Sequence, residues 1–268
     1  FHPSETLEAL CEIYRHWMAA CDLDGFRIDT CKHVYPGALR YFCDQMRTFA
    51  TDLGKHNFLL LGEVAGGTHL ARQLVRQCGL DAALGINSEM YAMRAAVNGQ
   101  GSARAYFDLF DGAGDDFASE SKQTEASPWL GERVVTMFDD HDQAMKSGFE
   151  PAPRPELHKA RFAARWPQLL PNLIALNLLS KGIPCLYYGS EQGFAGAGPR
   201  DSYMREAMFG GQMGAFGTQG QHFFDEQGPL YRYIQHLCHL RREISALQSG
   251  DQVLHESMAW DADHQRPT

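Results

Sequence analysis

The stretch "DGFRIDTCKHV", residues 24–34, decides how the rest of the chain is read. A turn glycine precedes a short apolar-alternating run that carries Arg27 and Asp29 two residues apart. In a strand, residues i and i+2 share a face. A guanidinium and a carboxylate therefore project together from a strand that otherwise looks buried, with Asp29 at its C-terminal end. Taken alone, the pair reads as a structural ion pair. Its meaning depends on what other strand ends carry.

Working outward, the chain alternates helices and strands. Residues 5–20 place Leu7, Leu10, Cys11, Tyr14, Trp17 and Met18 at helical spacing, with Ser4 as the cap. A helix is expected over 37–53, a buried strand over 57–64 ("NFLLLGEV") and a helix over 68–78 that Gly79 ends. "LDAAL" (80–84) reads as a short strand. Two helical stretches between about 88 and 110 are broken at "NGQG", and an acidic, glycine-bearing loop covers 111–128. "RVVTMF" (133–138) is expected as a strand, 156–180 as a long helix and "IPCLYY" (183–188) as a strand. An irregular glycine-rich segment (189–228) then precedes a helix over 229–247. Nearly continuous apolar strands separated by helices imply a parallel sheet covered on both faces. A doubly wound sheet and part of an eight-stranded barrel both fit, and both place function at the C-terminal strand ends.

Composition removes several alternatives. The 268 residues suffice for one large domain with a sizeable core, and 44% hydrophobic with 21% charged residues is ordinary globular usage. A net charge of −9 without a basic stripe argues against a nucleic-acid partner. The longest apolar run, "LLPNLIALNLL" (169–179), is too short to span a bilayer, so no membrane partner is expected. The seven cysteines (11, 21, 31, 43, 78, 185 and 238) lack CxxC or finger spacing, which indicates no zinc or other metal site. They read as reduced thiols, which leans toward a cytoplasmic, reducing compartment. Phe1 at the start leaves the presence of a leader unassigned. His16, His56, His69 and His236 form no constellation, and "GAGPR" and "GGQMGAFG" lack the strand-to-helix context of a phosphate loop.

The chemistry collects at the strand ends. Asp29 closes the first strand, Glu63 the second ("LLGEV"), "DDHD" (139–142) follows the fourth, and Tyr187, Tyr188 and Glu191 follow the fifth. Alone, Glu63 could cap a helix, and "DDHD" could be a metal-binding loop or a solvated acidic turn. The carboxylates lie far apart in sequence and meet only if the strand ends converge, as in a barrel. Like charges gathered at one mouth are costly unless used. Glycoside hydrolysis uses such an arrangement, one carboxylate attacking while another protonates the leaving oxygen.

"GFRIDTCKHV", "LLGEV", "FDDHDQ" and "GIPCLYYGSEQGF", in this order, resemble the successive signature regions of the α-amylase superfamily, glycoside hydrolase family 13. "YMREAMF" (203–209) is similar to the stretch after that family's eighth strand, and the resemblance covers about residues 5–247. It implies a (β/α)8 TIM barrel, here a partial one of about strands 4 to 8 over residues 1–247. The start of a C-terminal β domain would fall at 248–268. It also implies a retaining α-glycosidase acting on α-glucosidic bonds of starch-like oligo- or polysaccharides, with an α-glucan or small α-glucoside as partner. By motif match, Asp29 resembles the nucleophile, Arg27 its orienting cation, and Glu63 the general acid/base, which must carry a proton near neutrality. Asp142 matches the third carboxylate and His141 the histidine beside it. Lys32 and His33 match positions on the leaving-group side, and Tyr188 the pocket wall.

The resemblance also leaves matters open. A transglycosylase, a sucrose- or trehalose-processing isomerase or a phosphorylase could share these motifs. A non-catalytic carbohydrate-binding relative would be expected to lack one of the three carboxylates. The family's first three strands and its "DxVxNH"-type region have no counterpart here. An exposed edge beside the first strand and an inactive isolated chain are therefore expected. No cofactor is expected for the chemistry. A structural calcium ion in the full-length protein would take ligands largely outside this chain, and oligomeric state is unassigned.

Overall fold

The computed structural model describes residues 2–110, 133–142, 169–193, 205, 207–209, 224–253, 260–261 and 266–267. The elements of the first part follow the sequence pattern closely. Helix α1 (Glu5–Ala20) is capped by Ser4, whose Oγ accepts the Leu7 N–H at 3.3 Å. Strand β1 is Gly25–Ile28, α2 is Pro36–Asp52, β2 is Leu59–Gly62, α3 is Thr68–Cys78 and β3 is Ala82–Leu84. Gly79, at φ 74°, ends α3 in the left-handed conformation that a side chain would resist. Next come α4 (Ser88–Val97), α5 (Ala103–Asp108), β4 (Val134–Thr136), α6 (Leu170–Leu179) and β5 (Ile183–Pro184). Helices α7 (Pro229–Glu243) and α8 (Ala246–Ser249) follow, then the antiparallel pair β6 (Trp260–Asp261) and β7 (Arg266–Pro267).

Five strands are ordered β1-β2-β3-β4-β5, the order of the chain, and the β1–β2, β2–β3 and β3–β4 pairings are parallel. Parallel neighbours in chain order, each joined through a helical crossover, are the βαβ repeat expected of a barrel segment and not of a doubly wound sheet, whose order reverses. Strand β1 stands at the end of that order.

The chain divides into two compact units, residues 1–88 with 132–135, and residues 89–131 with 136–268. In the first, the alternate residues of β1 separate two environments. Phe26 meets Tyr14 of α1 and Phe58 edge-on, at 5.3 and 5.2 Å between ring centroids, and Tyr14 in turn meets Phe42 of α2. Arg27, on the opposite face, is thereby turned away from the helices. Buried Met18, Met46, Leu60, Leu74 and Val75 complete this layer. Arg47 of α2 reaches the turn between α3 and β3, donating to Gly79 O at 2.6 Å and Asp81 Oδ1 at 2.7 Å, while Asp81 Oδ2 accepts the Leu60 N–H at 2.7 Å. A side-chain clip thus fixes where β3 starts beside β2.

In the second unit, α6 packs on α7. The Tyr106 hydroxyl, fully buried, shares a 2.8 Å hydrogen bond with Ser180 Oγ at the end of α6.

Two sequence expectations are corrected. The strand expected over 183–188 spans only Ile183–Pro184. Pro184 has no N–H to offer a ladder. The Cys185 N–H still reaches Thr136 O at 2.8 Å, but Gly189, at φ 86°, then turns the chain back. The helix expected over 229–247 stops at Glu243, where Ile244 becomes extended. Gln248 Nε2 folds back to the Arg241 and Arg242 carbonyls at 2.9 and 3.0 Å, satisfying acceptors that a further helical turn would have used. The loop 111–128, the helix start at 156–168, and the "GAGPR" and "GGQMGAFG" stretches lie outside the described residues. Among the described residues no helix is long and apolar enough to cross a membrane.

Candidate active site

Strands β1 and β2 pair Ile28 with Gly62, so Asp29 and Glu63 are the next residues at their C-terminal ends. The ladder continues past the strands: the Glu63 N–H donates to Ile28 O at 2.8 Å, and the Cys31 N–H donates to Glu63 O at 3.0 Å. Glu63 is therefore clamped by backbone on both sides. A Cβ at Gly62 would lie 2.6 Å from Leu80 Cδ1 and 3.3 Å from Cys31 Sγ, so any larger residue there would have to displace the buried Leu80 side chain.

The side chains converge as the backbone directs. Arg27 Nη1 donates to Asp29 Oδ1, and Arg27 Nη2 lies 3.4 Å from Glu63 Oε2. One guanidinium thus bridges both carboxylates, a geometry that its planar fork allows and an ammonium would not. The same Glu63 Oε2 accepts the Thr30 N–H at 2.8 Å. Thr30 itself sits at φ 50°, ψ 36°, a left-handed conformation uncommon for a β-branched residue. The Asp29 side chain is 64% exposed and that of Glu63 only 7%. An accessible anion thus stands beside a sheltered carboxyl group. Lys32 and His33 follow on the short 3₁₀ turn Cys31–His33, both exposed. Behind Glu63, Asn87 Nδ2 donates to Val64 O at 3.0 Å while its Oδ1 accepts the Gly66 and Gly67 N–H groups, fixing the loop that leaves β2.

In the second unit, Asp142 Oδ1 accepts from Arg205 Nη2 at 2.9 Å, and His141 Nε2 lies 3.5 Å from Asp142 Oδ2. The Asp142 N–H donates to Asp140 Oδ1 at 2.8 Å, and Ser190 Oγ donates to Asp139 Oδ2 at 2.7 Å. Tyr188 is exposed and meets Tyr187 edge-on at 4.7 Å. Burial, together with its hydrogen bond to Tyr188, pushes the Tyr187 phenol well above its ordinary range, so it remains a neutral hydroxyl.

Sequence reasoning singled out Arg27, Asp29 and Glu63, which the fold gathers into one cluster, and His141 and Asp142, which it gathers into another. It missed three groups. Arg205 lies within "YMREAMF", so its neighbourhood was flagged although its role was not. Thr30 acts through its backbone and Asn87 through a turn, and neither left a sequence signal. Among the described residues no group of three His, Cys, Asp or Glu could hold a metal ion. All seven cysteines are free, with Cys11, Cys31, Cys43 and Cys78 buried.

Comparison with known proteins bears on this arrangement. Residues 2–266 match the family model described as alpha amylase, catalytic domain. The chain is 32% identical over 259 residues to an alpha-amylase of Streptomyces lividans, covering 93% of this chain and 27% of that protein. It is 29% identical over 232 residues to a beta/alpha-amylase of Paenibacillus polymyxa, covering 86% of this chain and 15% of that one. Among solved structures, an Anoxybacillus alpha-amylase aligns with a TM-score of 0.63 at 21% identity, covering 92% of this chain and 46% of that one. Amy13B of Eubacterium rectale aligns with a TM-score of 0.64 at 15% identity, covering 96% and 50%. The chain thus spans about a quarter or less of these curated relatives, and half or less of these solved neighbours.

Proposed function

This chain belongs to the alpha-amylase catalytic-domain family, whose fold is the (β/α)8 barrel, and from that premise we propose that the protein carrying it is a retaining α-glycosidase. Its substrates are the α-glucosidic bonds of starch-like oligo- or polysaccharides. The observation that supports this reading best is the single Arg27 guanidinium joining Asp29 and Glu63 at adjacent strand ends.

In the first step, the Asp29 carboxylate attacks the anomeric carbon while the Glu63 carboxyl gives its proton to the glycosidic oxygen. The bond to the leaving sugar breaks and a glycosyl ester forms on Asp29. In the second, Glu63 takes a proton from water, the resulting oxygen attacks the same carbon, and the ester breaks to restore Asp29 with net retention. Arg27 keeps Asp29 anionic and oriented through the approach. The Thr30 N–H and the flanking backbone bonds hold Glu63 in place as it changes from acid to base. Asp142, oriented by Arg205 and His141, grips sugar hydroxyls and favours the oxocarbenium-like transition state. Lys32 and His33 line the leaving-group side and Tyr188 the pocket wall.

The test is covalent. A fluorinated α-glucosyl trapping reagent followed by peptide mass analysis should place the sugar on Asp29, in a site whose two carboxyl groups lie about 5–5.5 Å apart. Glu63→Gln should still accumulate this intermediate from substrates with activated leaving groups, since protonation then matters less. A sugar trapped on any other residue would refute the assignment. Product analysis on starch, maltose, sucrose and trehalose separates hydrolysis from transfer or isomerisation.

A further inference from the structure

The loop that leaves β2 carries a tie to which the proposed chemistry gives no role. The ladder between β2 and β3 ends at Gly62 opposite Ala83, one residue short of Glu63. On the β1 side the backbone goes on holding Glu63, through its N–H to Ile28 O and its carbonyl to the Cys31 N–H. On the β3 side a side chain takes over. Asn87, three residues past the end of β3, donates from Nδ2 to Val64 O at 3.0 Å. Its Oδ1 accepts the Gly66 and Gly67 N–H groups at 3.2 and 3.0 Å.

A carboxamide suits this position. It offers donors on one atom and an acceptor with two lone pairs on the other, and here one donor and two acceptances are engaged. The opposite orientation of the amide would press its N–H groups against two backbone N–H groups, so the network fixes which way Asn87 points. An aspartate could accept from Gly66 and Gly67 but would set a carboxylate oxygen against the Val64 carbonyl. Val64 is fully buried, and Gly67, at φ 102°, holds a conformation that side-chain-bearing residues resist, so the loop is defined at both ends. A Cβ at Gly66 would lie 3.8 Å from Lys32 Cδ, so the same loop runs beside the residue proposed for the leaving-group side.

Val64 is joined to Glu63 by a single peptide. A shift of Val64 therefore turns the Glu63 backbone and, with it, the direction of its carboxyl group. In the first step that group must bring its proton to the leaving oxygen, which requires heavy atoms within about 2.6–3.2 Å. Asp29, by contrast, is set by its own strand and by Arg27. We propose that Asn87 is a positioning residue for the Glu63 acid. By tying Val64 to the end of β3, it sets the reach of the proton, and so governs how well the site expels leaving groups that need protonation. This rests on the function proposed above and assigns its leaving-group selectivity to a residue outside the carboxylate cluster.

The experiment uses the full-length protein that carries this chain and compares two substrates by kcat/KM. The fluoride of α-maltosyl fluoride leaves with little help, whereas the leaving sugar of maltotetraose departs only when protonated. Asn87→Ala should lower kcat/KM for maltotetraose about tenfold, a fraction of the ~10²-fold cost of a 1 Å misplacement, and leave the fluoride within about twofold. Asn87→Asp, which keeps the acceptor and lacks the donor, should melt closer to the parent than Asn87→Ala yet show the same selective loss. It also carries the comparison if Asn87→Ala does not fold. Equal losses on both substrates, or none on either, in folded variants would overturn the positioning role and leave the proposed activity standing. A parent protein that cleaves neither substrate would remove that activity, and this role with it.

Discussion

Replacing Arg27 by leucine tests the cluster most directly, because one side chain serves two carboxylates of very different exposure. Asp29 is 64% exposed, so solvent screens its pairing and the loss there is worth about 0–1 kcal/mol of stability. Glu63 is 7% exposed, and without the guanidinium its carboxylate keeps the Thr30 N–H as its described donor. A sheltered carboxylate deprived of a charged partner costs about 1–3 kcal/mol. Arg27→Leu should therefore lower the urea unfolding free energy at neutral pH by roughly 1–4 kcal/mol, most of it from Glu63. A double-mutant cycle with Glu63→Gln should recover a coupling of about 0.5–3 kcal/mol. Turnover should fall by ~10²-fold or more, since displacing a reacting group by about 1 Å already costs that much. Arg27→Lys should regain part of the stability but little of the rate, because a point charge cannot hold both carboxylates in one plane. An Arg27→Leu protein that unfolds at the parental midpoint and turns over at the parental rate would refute the reasoning.

Three further outcomes follow from local geometry. Gly25→Ala would set a Cβ 2.5 Å from the Leu59 carbonyl oxygen in the β1–β2 pair, so chemical denaturation should report a loss of about 1–3 kcal/mol. Burial pushes the Cys43 thiol up to about 12 from an ordinary 9. Above the ordinary value the unfolded chain loses this proton while the folded chain keeps it. Stability is therefore complete below about pH 9 and falls as pH rises toward 12, and Cys43→Ala should flatten that slope in pH-dependent urea unfolding. Tyr106→Phe should cost about 0.5–1.5 kcal/mol by removing the buried 2.8 Å bond to Ser180 Oγ, and a thermal melt that does not move would contradict it.

Local signals in the sequence act over a few residues, and where they governed, the reading and the structure agree. Ser4 caps α1, Gly79 stops α3, and the break between α4 and α5 falls at "NGQG". Two readings failed where a breaker or a return contact near the end of an element was overlooked. Strand β5 ends early because Pro184 offers no N–H and Gly189 turns the chain, and α7 ends early because Gln248 returns to its last carbonyls.

The same division runs through the candidate site. Residue order placed Asp29, Glu63 and "DDHD" at strand ends, the resemblance to the α-amylase superfamily singled out Asp142 among them, and the two-residue period of a strand already put Arg27 beside Asp29. What the sequence could not contain is the pairing of Arg27 with Glu63, the hydrogen bond from the Thr30 N–H to the same oxygen, or the hold of Arg205 on Asp142. Each joins groups some tens of residues apart through distances that exist only once parallel strands are set in register. A one-residue slip of β1 against β2 would keep every motif in the sequence intact and carry Glu63 away from the guanidinium, so register, a property of tertiary structure, decides whether the motifs make a site.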